Sequence, residues 1–251
     1  MEVVPMEVRV GDVELPGDLA LPPRARGVVV FVESDDSPRR SRRERSVAEA
    51  MVNAGLGTLL VDLLTREEET RDRGGESAIA PRFDVPLLTR RVTGVVDELA
   101  TAERTARLRV GLFGTGTAAA GALGAAAARP DRVSAVVCRS GRPDLASERL
   151  PAVRAPVLLI AGSDDEHLVR ISRAAAESLH GAHRVHIVRG ASHDFTEPGL
   201  LEHATGAALA WFRAYLPDEA EDPAAARHAA DPGSRPVGAP GREDPRPTPG
   251  E

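Results

Sequence analysis

The sequence predicts an α/β fold: a mainly parallel sheet with helices on both faces. Continuous apolar runs such as Val28-Val29-Val30-Phe31-Val32 have the pattern of strands buried on both faces. These runs alternate with segments whose apolar residues recur at helical spacing, as in successive βαβ units. The length of 251 residues suits a single α/β core.

Taken in order, alternating apolar and polar residues over Met6–Val10 and Val13–Leu19 predict an antiparallel hairpin turning at Gly11-Asp12. Gly27–Val32 reads as the first buried strand. A charged loop follows, then a helix near Arg45–Asn53 closed by Gly55. Leu56–Leu63 reads as the second buried strand, with Asp62 at its end, and the polar stretch Glu67–Ala80 as loop. Val85–Arg104 carries Leu87, Leu88, Val92, Val95, Val96 and Leu99 at helical spacing. Val110–Phe113 is then strand, Thr117–Ala128 helix and Val133–Val137 strand. Val157–Ala161 is strand, Leu168–Leu179 helix, Val185–Val188 strand and Gly199–Leu216 a closing helix. No internal repeat is visible. Residues 1–216 thus form one expected domain. Residues 217–251, rich in Pro, Ala, Gly, Asp and Arg, have too few large apolar side chains to offset their ordering entropy and read as a disordered tail.

Composition narrows the function classes. The net charge of −6 argues against general nucleic-acid binding, which favours a basic face. All 32 basic residues other than histidine are arginine, which reads as codon bias. One cysteine, Cys138, cannot form an internal disulfide, which fits a reducing compartment. No basic-then-apolar leader and no run of roughly 18–20 apolar residues is present. The expected location is the cytoplasm, without a membrane partner.

The chemistry is expected at the carboxyl ends of the strands, where open α/β sheets bind ligands. Val110-Gly111-Leu112-Phe113-Gly114-Thr115-Gly116-Thr117-Ala118 has the strand–turn–helix grammar of G-x-S-x-G, the elbow that presents a nucleophilic serine. Its third motif position is Gly116, which has no side chain to attack with. Past Val157–Ala161 comes Gly162-Ser163-Asp164-Asp165, and past Val185–Val188 comes Gly190-Ala191-Ser192-His193. Elbow, acid, histidine is the order of the α/β-hydrolase triad. His193 is the expected base, and Asp165 or its neighbour Asp164 the acid that orients it.

From about Val8 to Leu216 the chain resembles the dienelactone-hydrolase-like branch of the α/β-hydrolase superfamily, common in bacteria. The matching segments include Gly57-Thr58-Leu59-Leu60-Val61-Asp62-Leu63-Leu64-Thr65, Arg142-Pro143-Asp144-Leu145-Ala146, Ala155-Pro156-Val157-Leu158-Leu159-Ile160 and Gly190-Ala191-Ser192-His193-Asp194-Phe195. The resemblance implies an α/β-hydrolase fold acting on esters or lactones. It places the acid on Asp165, the base on His193 and the vacant nucleophile position on Gly116. Ala118 stands at the second motif glycine. Glu33-Ser34 stands where relatives carry His-Gly in the oxyanion loop.

An oxyanion hole needs N–H donors aimed at developing negative charge, so the Thr117 N–H would serve it and a Glu33 carboxylate would oppose it. Substitute nucleophiles are Thr115, Thr117, Ser192, Cys138, or a water activated by His193 and Asp165. The arginine-dense loop 35–45 reads as a solvated, charge-mixed surface, with anion binding as the alternative. His180, His183 and His186 lack an accompanying acidic or cysteine ligand, so no metal and no cofactor are expected. The expectation is a catalytically degenerate homologue that binds a small molecule or a protein partner. The alternative is a working ester or lactone hydrolase using water or a non-standard nucleophile.

Overall fold

The computed structural model describes residues 2–33, 37–74 and 80–216. The expected tail 217–251, together with Ser34, lies outside them. Strands β1 (Val4–Val10), β2 (Val13–Ala20), β3 (Val28–Val32), β4 (Gly57–Val61), β5 (Val110–Gly116), β6 (Val133–Gly141), β7 (Val157–Gly162) and β8 (His183–Val188) form one sheet. Their order is β1-β2-β4-β3-β5-β6-β7-β8. The opening hairpin closes at Val10↔Val13, as its alternation predicts, and β2 runs antiparallel to β4. From β4 to β8 every pairing is parallel.

The chain first steps from β3 outward to β4, then returns across β3 to build β5 to β8. Winding therefore reverses between β3 and β5. Their carboxyl ends diverge there, the place where such sheets open a ligand crevice. Glu33 follows β3, and Gly116 ends β5.

Strand alternation sends residues to two cores. On one face Phe31, Phe113 and Val137 pack with Met51 of α1 (Arg42–Asn53) and Phe212 of α6 (Leu200–Tyr215). Phe31 and Phe113 stack at 4.9 Å between centroids. On the other face Val30, Leu112 and Val136 pack under α3 (Val85–Thr101), α4 (Ala118–Ala128) and α5 (Glu166–Glu177). Helix α4, Ala-Ala-Ala-Gly-Ala-Leu-Gly-Ala-Ala-Ala-Ala, is apolar all round because it is enclosed by the sheet and α3.

Three expectations need correction. The stretch read as loop from Glu67 contains helix α2 (Arg66–Gly74). Thr65 and Glu68 close a capping box: the Glu68 N–H donates to Thr65 Oγ1 at 3.2 Å, and the Thr65 N–H to Glu68 Oε2 at 2.8 Å. Local capping outweighs the lack of apolar periodicity there. Helix α1 begins at Arg42, not Arg45, because Ser41 caps it by accepting from the Glu44 N–H. Strand β6 continues to Gly141, well past the expected Val137. Cys138 therefore sits inside a strand instead of at its ligand-side end.

Candidate active site

Gly116 has φ of +53° and is followed by Thr117, the N-cap of α4. The chain thus turns from strand into helix through a left-handed residue. Side chains pay for that conformation with a Cβ clash, and glycine does not. The turn expected of an elbow is therefore present in the backbone at Gly116.

Asp165 and His193, the expected acid and base, meet. Asp165 caps α5, one carboxylate oxygen accepting from the Leu168 N–H at 2.9 Å. Its other oxygen lies 3.3 Å from His193 Nδ1. Asp164 instead accepts from the hydroxyl of Ser163. In the tautomer that donates Nδ1–H to Asp165, the His193 Nε2 carries the lone pair.

Backbone contacts bring the acid turn and the base loop together. Ser163 N–H donates to Val188 O at 2.9 Å, Asp164 N–H to Ala191 O at 3.1 Å, and Gly190 N–H to Ser163 Oγ at 2.8 Å. Gly162 permits that approach. A Cβ there would stand 2.5 Å from Ser192 O and closer still to Ala191 O. Gly162→Ala is accordingly expected to push the loops apart and break the Asp165–His193 contact. The check is the His193 imidazole NMR signal, which should lose its dependence on Asp165→Asn in that background.

A charged network lies beside the dyad, on the sheet face under α1. Arg43 reaches Asp194 Oδ1 at 3.0 Å, Glu33 Oε1 at 3.5 Å and Glu44 Oε1 at 3.5 Å. It also donates to the Asp194 carbonyl at 3.0 Å. Burial opposes the Arg43 charge, but the bond to Asp194 and the fields of Glu44 and Glu33 outweigh it and raise its pKa. Glu44, 1% exposed, is paired with Arg139, 3% exposed. The Glu33 carboxylate is thus held by a guanidinium, which offsets the repulsion it would otherwise exert on an oxyanion. Ser140, at φ of +47°, donates its hydroxyl to the His193 carbonyl at 2.6 Å. Arg43, Glu44, Arg139, Ser140 and Asp194 were not among the expected site residues. The signal for two of them was available, since Arg139-Ser140 leave the apolar run of β6 on the ligand side.

The substitute nucleophiles fare unequally. Cys138 is buried in the core under α4, and burial pushes its thiol up to about 12, which leaves no thiolate at neutral pH. A thiol-reactive probe is expected to leave native protein unlabelled and to label it stoichiometrically in denaturant; rapid native labelling would contradict this burial. Thr115 and Thr117 are buried as well. The arginine-dense loop is tied into the protein: Arg39 pairs with Asp18 and Asp62, and Arg40 with Glu69. Ser37 also donates to Asp62. Among the described residues no group of three or more His, Cys, Asp or Glu converges as a metal site, and no helix is long and apolar enough to cross a membrane.

Comparison with known proteins agrees with this fold. A dienelactone hydrolase from Anabaena variabilis superposes with a TM-score of 0.82 and 45% identity, covering 85% of this chain and 98% of that one. Est1E from Butyrivibrio proteoclasticus shares the fold with a TM-score of 0.70 and 15% identity over 84% of this chain and 98% of its own. Two Mycobacterium tuberculosis proteins named "Putative phosphoribosyl transferase" are 44% identical over 211 residues, 84% of this chain. The match spans less than half, 46%, of the length of those relatives. The sequence model of the dienelactone hydrolase family matches residues 15–216, and the chain belongs to that family.

Proposed function

We propose that this chain is a catalytically degenerate member of the dienelactone hydrolase family, one that binds a small molecule and does not carry out acyl transfer. The observation that carries this reading is Gly116 at φ of +53°, at the elbow, with the His193–Asp165 pair intact at 3.3 Å. Covalent catalysis needs an activated nucleophile within reach of the base. Gly116 supplies none, and Cys138 is sealed in the core. The bound molecule is an ester, a lactone or a compound shaped like one, and a protein partner is the other occupant compatible with a site released from turnover. Location in the cytoplasm, without nucleic-acid or membrane partners, belongs to the same proposal. The transferase activity in the names of the longer Mycobacterium relatives is not assigned to this chain.

Retention of the dyad favours one second reading. His193 oriented by Asp165 can take a proton from water, and the water then attacks the carbonyl directly, as in the deacylation half of ordinary hydrolases. Hydrolysis of short-chain activated esters separates the two. Wild type is expected to show no turnover above a His193→Ala control. Turnover that disappears in His193→Ala would establish the water mechanism and overturn the degenerate reading.

A further inference from the structure

The loop that carries His193 leaves β8 and enters α6, and a histidine pair lies across its stem. His186 lies near the end of β8, in register with Ile160 of β7, and His203 lies in the first turn of α6. Their Nε2 atoms are 3.2 Å apart. The ring centroids are 5.3 Å apart and the planes 13° from parallel. The centroid separation exceeds the nitrogen separation by nearly two ring radii, so the rings meet edge to edge, nitrogen facing nitrogen. That is the geometry of an N–H···N hydrogen bond.

We propose that His186 and His203 form a proton-operated clasp on the stem of the His193 loop, closed near neutral pH and open in acid. The proton inventory dictates the sign. The bond requires one Nε2 that carries hydrogen and one that carries a lone pair, which two neutral imidazoles of opposite tautomer provide. A first proton goes to Nδ1 of the donor ring and leaves the bond in place, now charge-assisted. A second proton must land on the acceptor Nε2. It consumes the lone pair and sets two imidazolium N–H groups against each other, so the clasp parts at this step. The two protonations belong to the pair as a whole.

The surroundings fit a late second proton. Burial, then the neighbouring His203 and Arg184, lower the pKa of His186. Arg184 from β8 and Glu202 from α6 are the charged groups lining the same groove, which has a volume of about 640 Å³; Tyr215 lines it from α6, and β7 contributes only Leu158. Glu202 favours protonation and Arg184 opposes it. Because the folded-state value is lowered, the unfolded chain binds more protons as pH falls below the ordinary histidine value of about 6.5. The clasp's contribution is therefore complete above that pH and is lost on acidification. The segment between the two histidines holds His193, whose carbonyl is held by Ser140, and Asp194, which is held by Arg43. Opening the stem releases the base from below while those upper contacts remain. The clasp does not depend on whether the site turns over substrate.

Amide hydrogen exchange of the full chain at pH 7.5 and pH 5.0, corrected for intrinsic exchange rates, tests this. Protection of residues 189–199 in wild type is expected to fall about tenfold at the lower pH, the direction that a lowered folded-state value dictates. Protection of β5 should not change. His203→Gln is the decisive variant: its amide donates to neutral His186 and its carbonyl accepts from protonated His186, so loop protection should persist at pH 5.0. His203→Ala should lose protection at both pH values. Equal protection of 189–199 at both pH values in wild type would overturn the clasp. So would a fall shared equally by β5, or a His203→Gln profile as steep as wild type.

Discussion

Gly116→Ser is expected to give this protein esterase activity, raising turnover of an activated short-chain ester about a hundredfold or more above wild type. A base positioned on its nucleophile supplies at least that factor. The parts the serine needs are present. The backbone at 116 already has the left-handed elbow conformation, α4 begins one residue later, and His193 is oriented by Asp165 at 3.3 Å. The substitution has a cost, because serine at φ of +53° carries strain that glycine avoids, on the order of 1–3 kcal/mol. A lowered melting temperature together with a gain in activity is the expected signature. An initial burst of released alcohol would show that the acyl group passes through Ser at 116. No gain with the fold intact would locate the defect in the expected oxyanion site, where Glu33 follows β3. Adding Glu33→Gln to the variant should then recover turnover. If it does not, an intact site with only its nucleophile missing is the wrong description of this protein.

Glu44→Ala is expected to produce the largest loss of stability of any change near the site, about 3–5 kcal/mol. Glu44 and Arg139 are almost wholly excluded from solvent and are bonded to each other. Removing the carboxylate leaves a buried guanidinium against Phe113, whose ring lies 5.4 Å from it, with too little opposing charge. Arg43 still has Glu33 and Asp194, so the loss falls mainly on Arg139. Urea denaturation should show a lower midpoint with an unchanged slope. Glu44→Leu combined with Arg139→Met removes both charges and should restore most of the loss, since an apolar pair of similar volume escapes the desolvation penalty. If the single and double variants are equally unstable, packing and not unpaired charge is what Glu44 supplies.

The arrangement of charges keeps the carboxylates of the crevice paired. Glu33 beside an elbow would repel an oxyanion and, left alone, would be costly to bury. Arg43 meets both problems by joining Glu33 to Glu44 and to the Asp194 side of the His193 loop. The same residue that neutralises the crevice therefore also holds the base loop in place.

Much of this was legible in the residue order. Apolar runs located β3, β5 and β7, alternation located the hairpin of β1 and β2, and glycine-rich turns pointed to Gly116, Asp165 and His193, the last two of which the fold brings together. What was missed divides by cause. Helix α2 carried a readable local signal, the Thr65–Glu68 capping box, hidden only by attention to apolar spacing. The place of Cys138 depended on how far β6 extends, which its parallel pairing with β5 and β7 decides.

The local physics of the chain determined the architecture: Gly116 ends a strand, Asp165 and His193 each follow one, and strand ends can be found from hydrophobic pattern alone. Only the tertiary structure could choose Asp165 over Asp164, because that choice depends on which carboxylate the α5 cap turns toward His193. It alone could assemble the Arg43–Glu33–Glu44–Arg139 network and its link to Asp194. Those partners stand as far as 95 and 151 residues apart. A charge in a sequence carries no mark of its partner. Burial makes the pairing obligatory, and burial is a property of the fold.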